Sequence, residues 1–271
     1  MATSPEAAGW RRAPFTGAGQ TYDCFEKGEG PGIVVIPEIP GLTPEVLGYA
    51  EHLVSEGFTV VIASPFGTPG KSESALYVLG TLSRLCVSKE FRAFAADAER
   101  PITQFLRAVA ADLAARTPGR GVGVIGMCFT GGFGLATAVD DVVRAPVLSQ
   151  PSVPLPLTAK LRRDPGLSRR ELDVVKERTR TDGLCVLGLR FSKDPMAPAD
   201  RFTTLGAELG DAFEVIELDS GPGNSEGYGK SAHSVLTREI KENPPNSAFH
   251  ARARTVEFFR ERLISHAQSP D

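Results

Sequence analysis

Cys128 stands in the run Val122-Gly-Val-Ile-Gly-Met-Cys128-Phe-Thr-Gly-Gly132, where a short β-rich segment delivers one thiol into a glycine-flanked turn. A helix-forming stretch, Phe133 to Val139, follows at once. This is the sequence form of a nucleophile elbow, a sharp strand-to-helix turn that lifts one reactive side chain above a parallel sheet. Gly126 leaves room for the strained backbone, and Gly131 and Gly132 let the helix approach the strand. A helix N-terminus also favours the thiolate form of a cysteine placed there. A thiol nucleophile needs a base to take its proton, and an imidazole base needs a carboxylate to fix its tautomer. Asp194, in Arg190-Phe-Ser-Lys-Asp194-Pro, directly follows an apolar β-run, and His233, in Gly229-Lys-Ser-Ala-His233-Ser, lies after the last expected strand. The chain has four histidines, and the other three, His52, His250 and His266, fall in expected helices or the tail. Taken singly, these residues have plainer readings: a buried apolar filler, a turn-capping acid, a solvated ring. Their common placement at the carboxyl ends of strands, in the order nucleophile, acid, histidine, argues for shared chemistry.

The elements that must position them read as follows. Gly32–Ile36 is a buried β-branched run, and Thr43 caps a helix that starts with Pro44 and ends near Ser55, before Gly57. Phe58–Ala63 is the next strand, and Glu90–Ala115 reads as a long helix interrupted or restarted at Pro101. Val122–Ile125, Ala145–Ser149, Leu184–Arg190 and Phe213–Leu218 are further strands. Helices are expected over Ser168–Thr179, covering one side of the site, over Ala199–Leu209, and over Ser247–Ile264. Residues 1–20 read as a loose arm ahead of a single domain spanning 21–271. Strands alternating with helices predict an α/β fold, a mostly parallel sheet flanked by helices on both faces.

Composition narrows the function classes. The 271 residues are 41% hydrophobic and 23% charged, with a formal charge of −3, which offers no electrostatic footprint for nucleic acid or an anionic membrane. No apolar run reaches the roughly 18 residues of a membrane span. Four scattered cysteines without metal-ligand spacing read as reduced thiols of a cytoplasmic protein, and neither metal nor cofactor is expected. A homodimer is compatible with the chain.

From Tyr22 to Leu263 the chain resembles the dienelactone hydrolase family, a branch of the α/β-hydrolase fold that uses cysteine as nucleophile. The resemblance rests on Ile36-Pro-Glu38-Ile-Pro-Gly41 after an early strand, Gly126-Met-Cys128 at the elbow, Asp194 with Pro198, and His233-Ser234. It implies cofactor-free hydrolysis of lactones or other small carboxylic esters, with Cys128, His233 and Asp194 as a triad and an acyl-cysteine intermediate. It further implies that Glu38 contacts the resting thiol and takes its proton when a ligand arrives. The oxyanion would be held by the backbone N–H groups of Ile39 and Phe129. Two departures stand out. Thr130 replaces a glycine usual in the family's elbow and is expected to alter the turn or narrow the pocket. Leu236 and Thr237 stand where a substrate-binding arginine is usual, with Arg238 one place later, and Arg84 or Arg92 could stand in for a second arginine. Met127, Phe129 and Phe191 suggest an apolar cleft. A relative that binds small ligands without turnover, or an acyltransferase, remains an alternative.

Overall fold

The computed structural model describes residues 4–264. His266 therefore lies outside the described residues. Among the described residues nine strands form the sheet: β1 (Arg11–Arg12), β2 (Phe15–Gly17), β3 (Gln20–Lys27), β4 (Gly32–Ile36), β5 (Thr59–Ser64), β6 (Val122–Met127), β7 (Val143–Ser149), β8 (Val186–Phe191) and β9 (Phe213–Leu218). Their order is β1-β3-β5-β4-β6-β7-β8-β9, with β2 paired to β3. Strands β4 to β9 run parallel, and β3 joins β5 antiparallel. The helices are α1 (Pro44–Ser55), α2 (Ala75–Val87), α3 (Pro101–Arg116), α4 (Gly131–Thr137), α5 (Ala159–Arg163), α6 (Arg169–Thr181), α7 (Ala199–Leu209) and α8 (Ser247–Leu263). This is the α/β-hydrolase fold.

Successive side chains of a strand point to opposite faces, so each strand feeds two cores. Val34, Ile36, Val122 and Val124 pack with α3, α4, α6 and α7, whereas Ile33, Val35, Ile125 and Met127 pack with α1 and α8. Such two-sided burial explains why the parallel strands are near-continuous apolar runs rather than alternating ones.

Three expectations are corrected. Residues 11–17 are not a loose arm: β1 pairs Arg11 with Glu26 and Arg12 with Phe25, β2 pairs Phe15 with Tyr22, and Trp10 is buried. The indole N–H of Trp10 donates to Glu51, which ties this stretch to α1. The sequence reading also left out α2, whose start is capped by the Ser74 hydroxyl accepting from the Tyr77 amide. Finally, the helix expected from Glu90 begins only at Pro101. The fully buried Arg100 guanidinium takes the carbonyls of Phe91, Ala95 and Ala98, as well as Gly166, so those groups wrap around a cation instead of forming a helical ladder.

A second buried arginine holds the segment after β7. Arg201 on α7 donates to the carbonyls of Pro151 at 2.5 Å, Pro154 at 2.6 Å, Asp164 at 2.7 Å and Leu161 at 3.0 Å. Burial pulls its pKa down to about 10, with Asp164 acting in the opposite sense, so the charge persists at neutral pH. Arg201→Met keeps much of the volume but strands four carbonyls, and unsatisfied buried acceptors cost about 1–3 kcal/mol each. A loss of roughly 3 kcal/mol or more, read from the urea midpoint, is expected. A midpoint equal to wild type would show that Arg201 does not anchor this segment.

Candidate active site

The strand β6 ends at Met127, and the chain then turns sharply through Cys128, whose φ is +54°. A non-glycine residue in this region is strained and persists only where its surroundings over-determine it. They do so here through close contacts. A Cβ added at Gly126 would lie 2.1 Å from the Thr130 carbonyl oxygen, and one at Gly131 would lie 2.5 Å from Pro151 Cα. The Ser152 amide donates to the Cys128 carbonyl at 2.9 Å, and the Ser152 hydroxyl lies 3.8 Å from the sulfur.

Asp194 and His233 meet beside this elbow. Asp194 sits just past β8, buried, with one carboxylate oxygen accepting from the Met196 amide at 2.9 Å and the other 2.6 Å from His233 Nδ1. The ring and the Cys128 sulfur line the same cleft, and with Nδ1 on Asp194 the Nε2 nitrogen is the one left to serve the nucleophile. Burial pulls the histidine pKa down, but the neighbouring Cys128 sulfur and the Asp194 carboxylate outweigh it and hold the ring well above its ordinary value. This arrangement can move a proton between a sulfur and a bound group.

Glu38 follows β4 and is buried, but its carboxylate is bonded elsewhere than to the thiol. It accepts from Thr237 Oγ1 at 2.5 Å, from Ser234 Oγ at 2.8 Å and from Gln150 Nε2 at 3.3 Å. The carboxylate thus joins the ends of β4 and β7 to the loop that carries His233. The local reason is spacing: Ser234 and Thr237 are three residues apart in a turn closed by the Thr237 amide on the Ser234 carbonyl.

These residues open into a cleft of about 180 Å³, with Cys128, His233, Glu38 and Ser152 joined by Ile39, Val78, Leu82, Phe129, Leu155 and Met196. Ile39 and Phe129, whose amides are the expected oxyanion donors, both line this cleft. Arg238 and Glu73 also line it, paired with each other at 2.8 Å, and Arg238 also donates to Ser234 Oγ at 3.0 Å. Met127 and Phe191 do not reach the cleft. Strand alternation turns both into the opposite core, where Phe191 packs on Tyr228 at 4.7 Å between ring centroids. Arg84 and Arg92 are exposed and do not line it either, and Arg92 donates to the Glu99 carbonyl at 3.1 Å. Thr130 is fully buried beneath the elbow at φ −96° and does not narrow the cleft. Of the stretch after β7, Ser152 and Leu155 line the cleft, while α6, expected to cover the site, packs against α4 and α7 instead. Val78 and Leu82 escaped the sequence reading together with α2, although Ser74 followed by apolar Val78, Leu82 and Leu85 is a readable helix signal.

A larger depression of about 500 Å³, lined by Arg120, Arg144, Asp182 and Arg262, opens at the other end of the strands, away from Cys128. Among the described residues no three His, Cys, Asp or Glu side chains converge as a metal site would, and no helix is long and apolar enough to cross a membrane.

The fold and the cysteine at its elbow define an α/β hydrolase. The chain belongs to the dienelactone hydrolase family, whose model matches residues 20–263. Solved structures share the fold at low identity. A dienelactone hydrolase-like promiscuous phosphotriesterase from metagenomic libraries is 19% identical with a TM-score of 0.62, covering 94% of this chain and 98% of its own. The dienelactone hydrolase of Anabaena variabilis is 14% identical with a TM-score of 0.59, again covering 94% of this chain and 98% of its own. An α/β hydrolase from Penicillium is 12% identical with a TM-score of 0.60, covering 94% and 99%. No curated protein matches the chain in sequence.

Thiol reactivity follows from this geometry. Burial pushes the Cys24 thiol up to about 12, and burial also raises that of Cys86. Iodoacetamide at neutral pH is expected to label Cys128 well ahead of both, as read by peptide mass mapping. Faster labelling of Cys24 or Cys86 would contradict an accessible, histidine-paired sulfur.

Proposed function

We propose that this protein hydrolyses small uncharged carboxylic esters or lactones through an acyl-cysteine intermediate. The observation that carries the reading is that the hydrogen-bonded pair Asp194–His233 and the thiol of Cys128 meet at one apolar cleft. In the first half-reaction the Cys128 sulfur attacks the acyl carbonyl carbon as a thiolate, its proton already held on His233 Nε2. The oxyanion is held by the Ile39 and Phe129 amides, donors whose loss typically costs about 10²–10³ in rate. His233 returns the proton to the departing alkoxide, which leaves as an alcohol. Water then attacks the thioester with the same nitrogen as base, and the carboxylic acid is released with the thiol restored. This sequence needs no cofactor.

Cleft chemistry supports an uncharged substrate. Its walls are aliphatic and aromatic, and the cation at its rim, Arg238, is engaged by Glu73 and Ser234. A substrate carboxylate would have to displace Glu73. Glu38 acts in this reading as the anchor of the histidine loop, because a swing toward the thiol would break its bonds to Gln150, Ser234 and Thr237 together.

Cys128→Ala is expected to reduce turnover of p-nitrophenyl acetate by roughly 10³-fold or more. Wild-type rates in that variant, followed by release of p-nitrophenolate, would sink the proposal.

The pH profile supplies a second check. The raised histidine pKa means that the protonated ring needed to protonate the leaving group persists above pH 6.5 and is lost only as pH rises through that higher value. Asp194→Asn removes one cause of the raised value, so the alkaline limb of kcat/KM is expected to move to lower pH. An unmoved limb would assign the titration to another group.

A further inference from the structure

Parallel pairing between β4 and β6 ends at Ile36 opposite Gly126. Both halves of the reaction machinery lie beyond that last pair, Glu38 and Ile39 on one side and Cys128 and Phe129 on the other. Thr130 spans the gap. Its hydroxyl oxygen accepts the Met127 amide at 3.0 Å and lies 3.0 Å from the Ile36 carbonyl and 3.2 Å from the Pro37 carbonyl. The Met127 carbonyl, also at 3.0 Å, competes for the single hydroxyl proton, but two of the three acceptors belong to the β4 side. The side chain is fully buried, so water cannot take its place.

We propose that Thr130 is a positioning residue, whose hydroxyl continues the β4–β6 pairing past the end of the sheet and sets the spacing between the Ile39 and Phe129 amides. A glycine at this place, usual in the family's elbow, has no side chain with which to make the bridge. Thr130 touches neither the sulfur nor the cleft, so its effect must travel through the two backbone segments it joins. An oxyanion hole is sensitive to such spacing, because its donors must lie about 2.7–3.1 Å from an oxygen that exists only in the transition state. The consequence is a defect in kcat with little change in KM. The inference rests on the ester-hydrolase reading proposed above.

The experiment compares Thr130→Val, which keeps the shape and loses the hydroxyl, with Thr130→Ser, which keeps the hydroxyl and loses a methyl. Steady-state turnover of p-nitrophenyl acetate is measured beside the rate of Cys128 alkylation by iodoacetamide. Thr130→Val is expected to lower kcat about tenfold or more, with KM and the alkylation rate within about threefold of wild type. Thr130→Ser is expected to recover most of kcat. An unchanged kcat in Thr130→Val overturns the proposal, as does an equal loss in both variants. A parallel loss of kcat and alkylation in Thr130→Val also overturns it, since the elbow itself would then have moved. If Thr130→Val does not fold, Thr130→Ser alone decides, and a tenfold loss there overturns the proposal while near-wild-type kcat supports it. In each of these cases wild-type turnover leaves the hydrolase reading standing. A wild-type protein that turns over neither aryl esters nor lactones refutes that reading and this inference with it.

Discussion

Everything at the candidate site depends on one backbone constraint, the left-handed conformation of Cys128 at φ +54°. An L-residue pays for that conformation, and the surroundings must hold it. Gly126 permits the Thr130 carbonyl to fold back against the strand, and Gly131 permits the approach of Pro151. Together they force the chain to reverse over three residues, so that the sulfur projects from the sheet while α4 starts directly beneath it. A side chain at either glycine would clash with that backbone and force the turn to shift.

Around that turn, the polar groups act as struts between strand ends. The Glu38 carboxylate gathers Gln150, Ser234 and Thr237, Arg201 gathers the carbonyls after β7, and Arg100 gathers those before α3. Buried polar groups are costly when unpaired, so each hub tolerates few alternative arrangements of the loops it joins. The sheet beneath supplies apolar burial on both faces, which stabilises the fold without specifying loop geometry. Loops that would otherwise be free to wander are thereby fixed to the same frame as the nucleophile. The same logic applies at the rim of the cleft, where the Arg238 guanidinium is held by Glu73.

Sequence legibility varied with the range of the interaction involved. Cys128, Asp194 and His233 could be read because each follows a local signal, a glycine-flanked turn or the end of an apolar β-run, and parallel sheets bring strand ends together. Met127 and Phe191 were misplaced by the same proximity in sequence, since a neighbour along a strand points to the opposite face. Glu38 was read as an acid near the nucleophile, yet its partners Ser234 and Thr237 lie 196 and 199 residues away and no local pattern announces them. Arg238 was read as a candidate substrate ligand, and its pairing with Glu73, 165 residues distant, had no local signal. The helix that supplies Val78 and Leu82 had a cap and an apolar stripe, and was passed over.

By itself, then, the order of residues determined the α/β architecture, the elbow and the three groups gathered near it, because strand alternation, glycine placement and helix caps act over a few residues. Tertiary structure alone decided which face each side chain serves, whether the first residues join the sheet, and which charges are already neutralised. Those outcomes depend on partners far away in the chain, and a hydrogen bond or ion pair is set by distance in space, which a linear string does not contain.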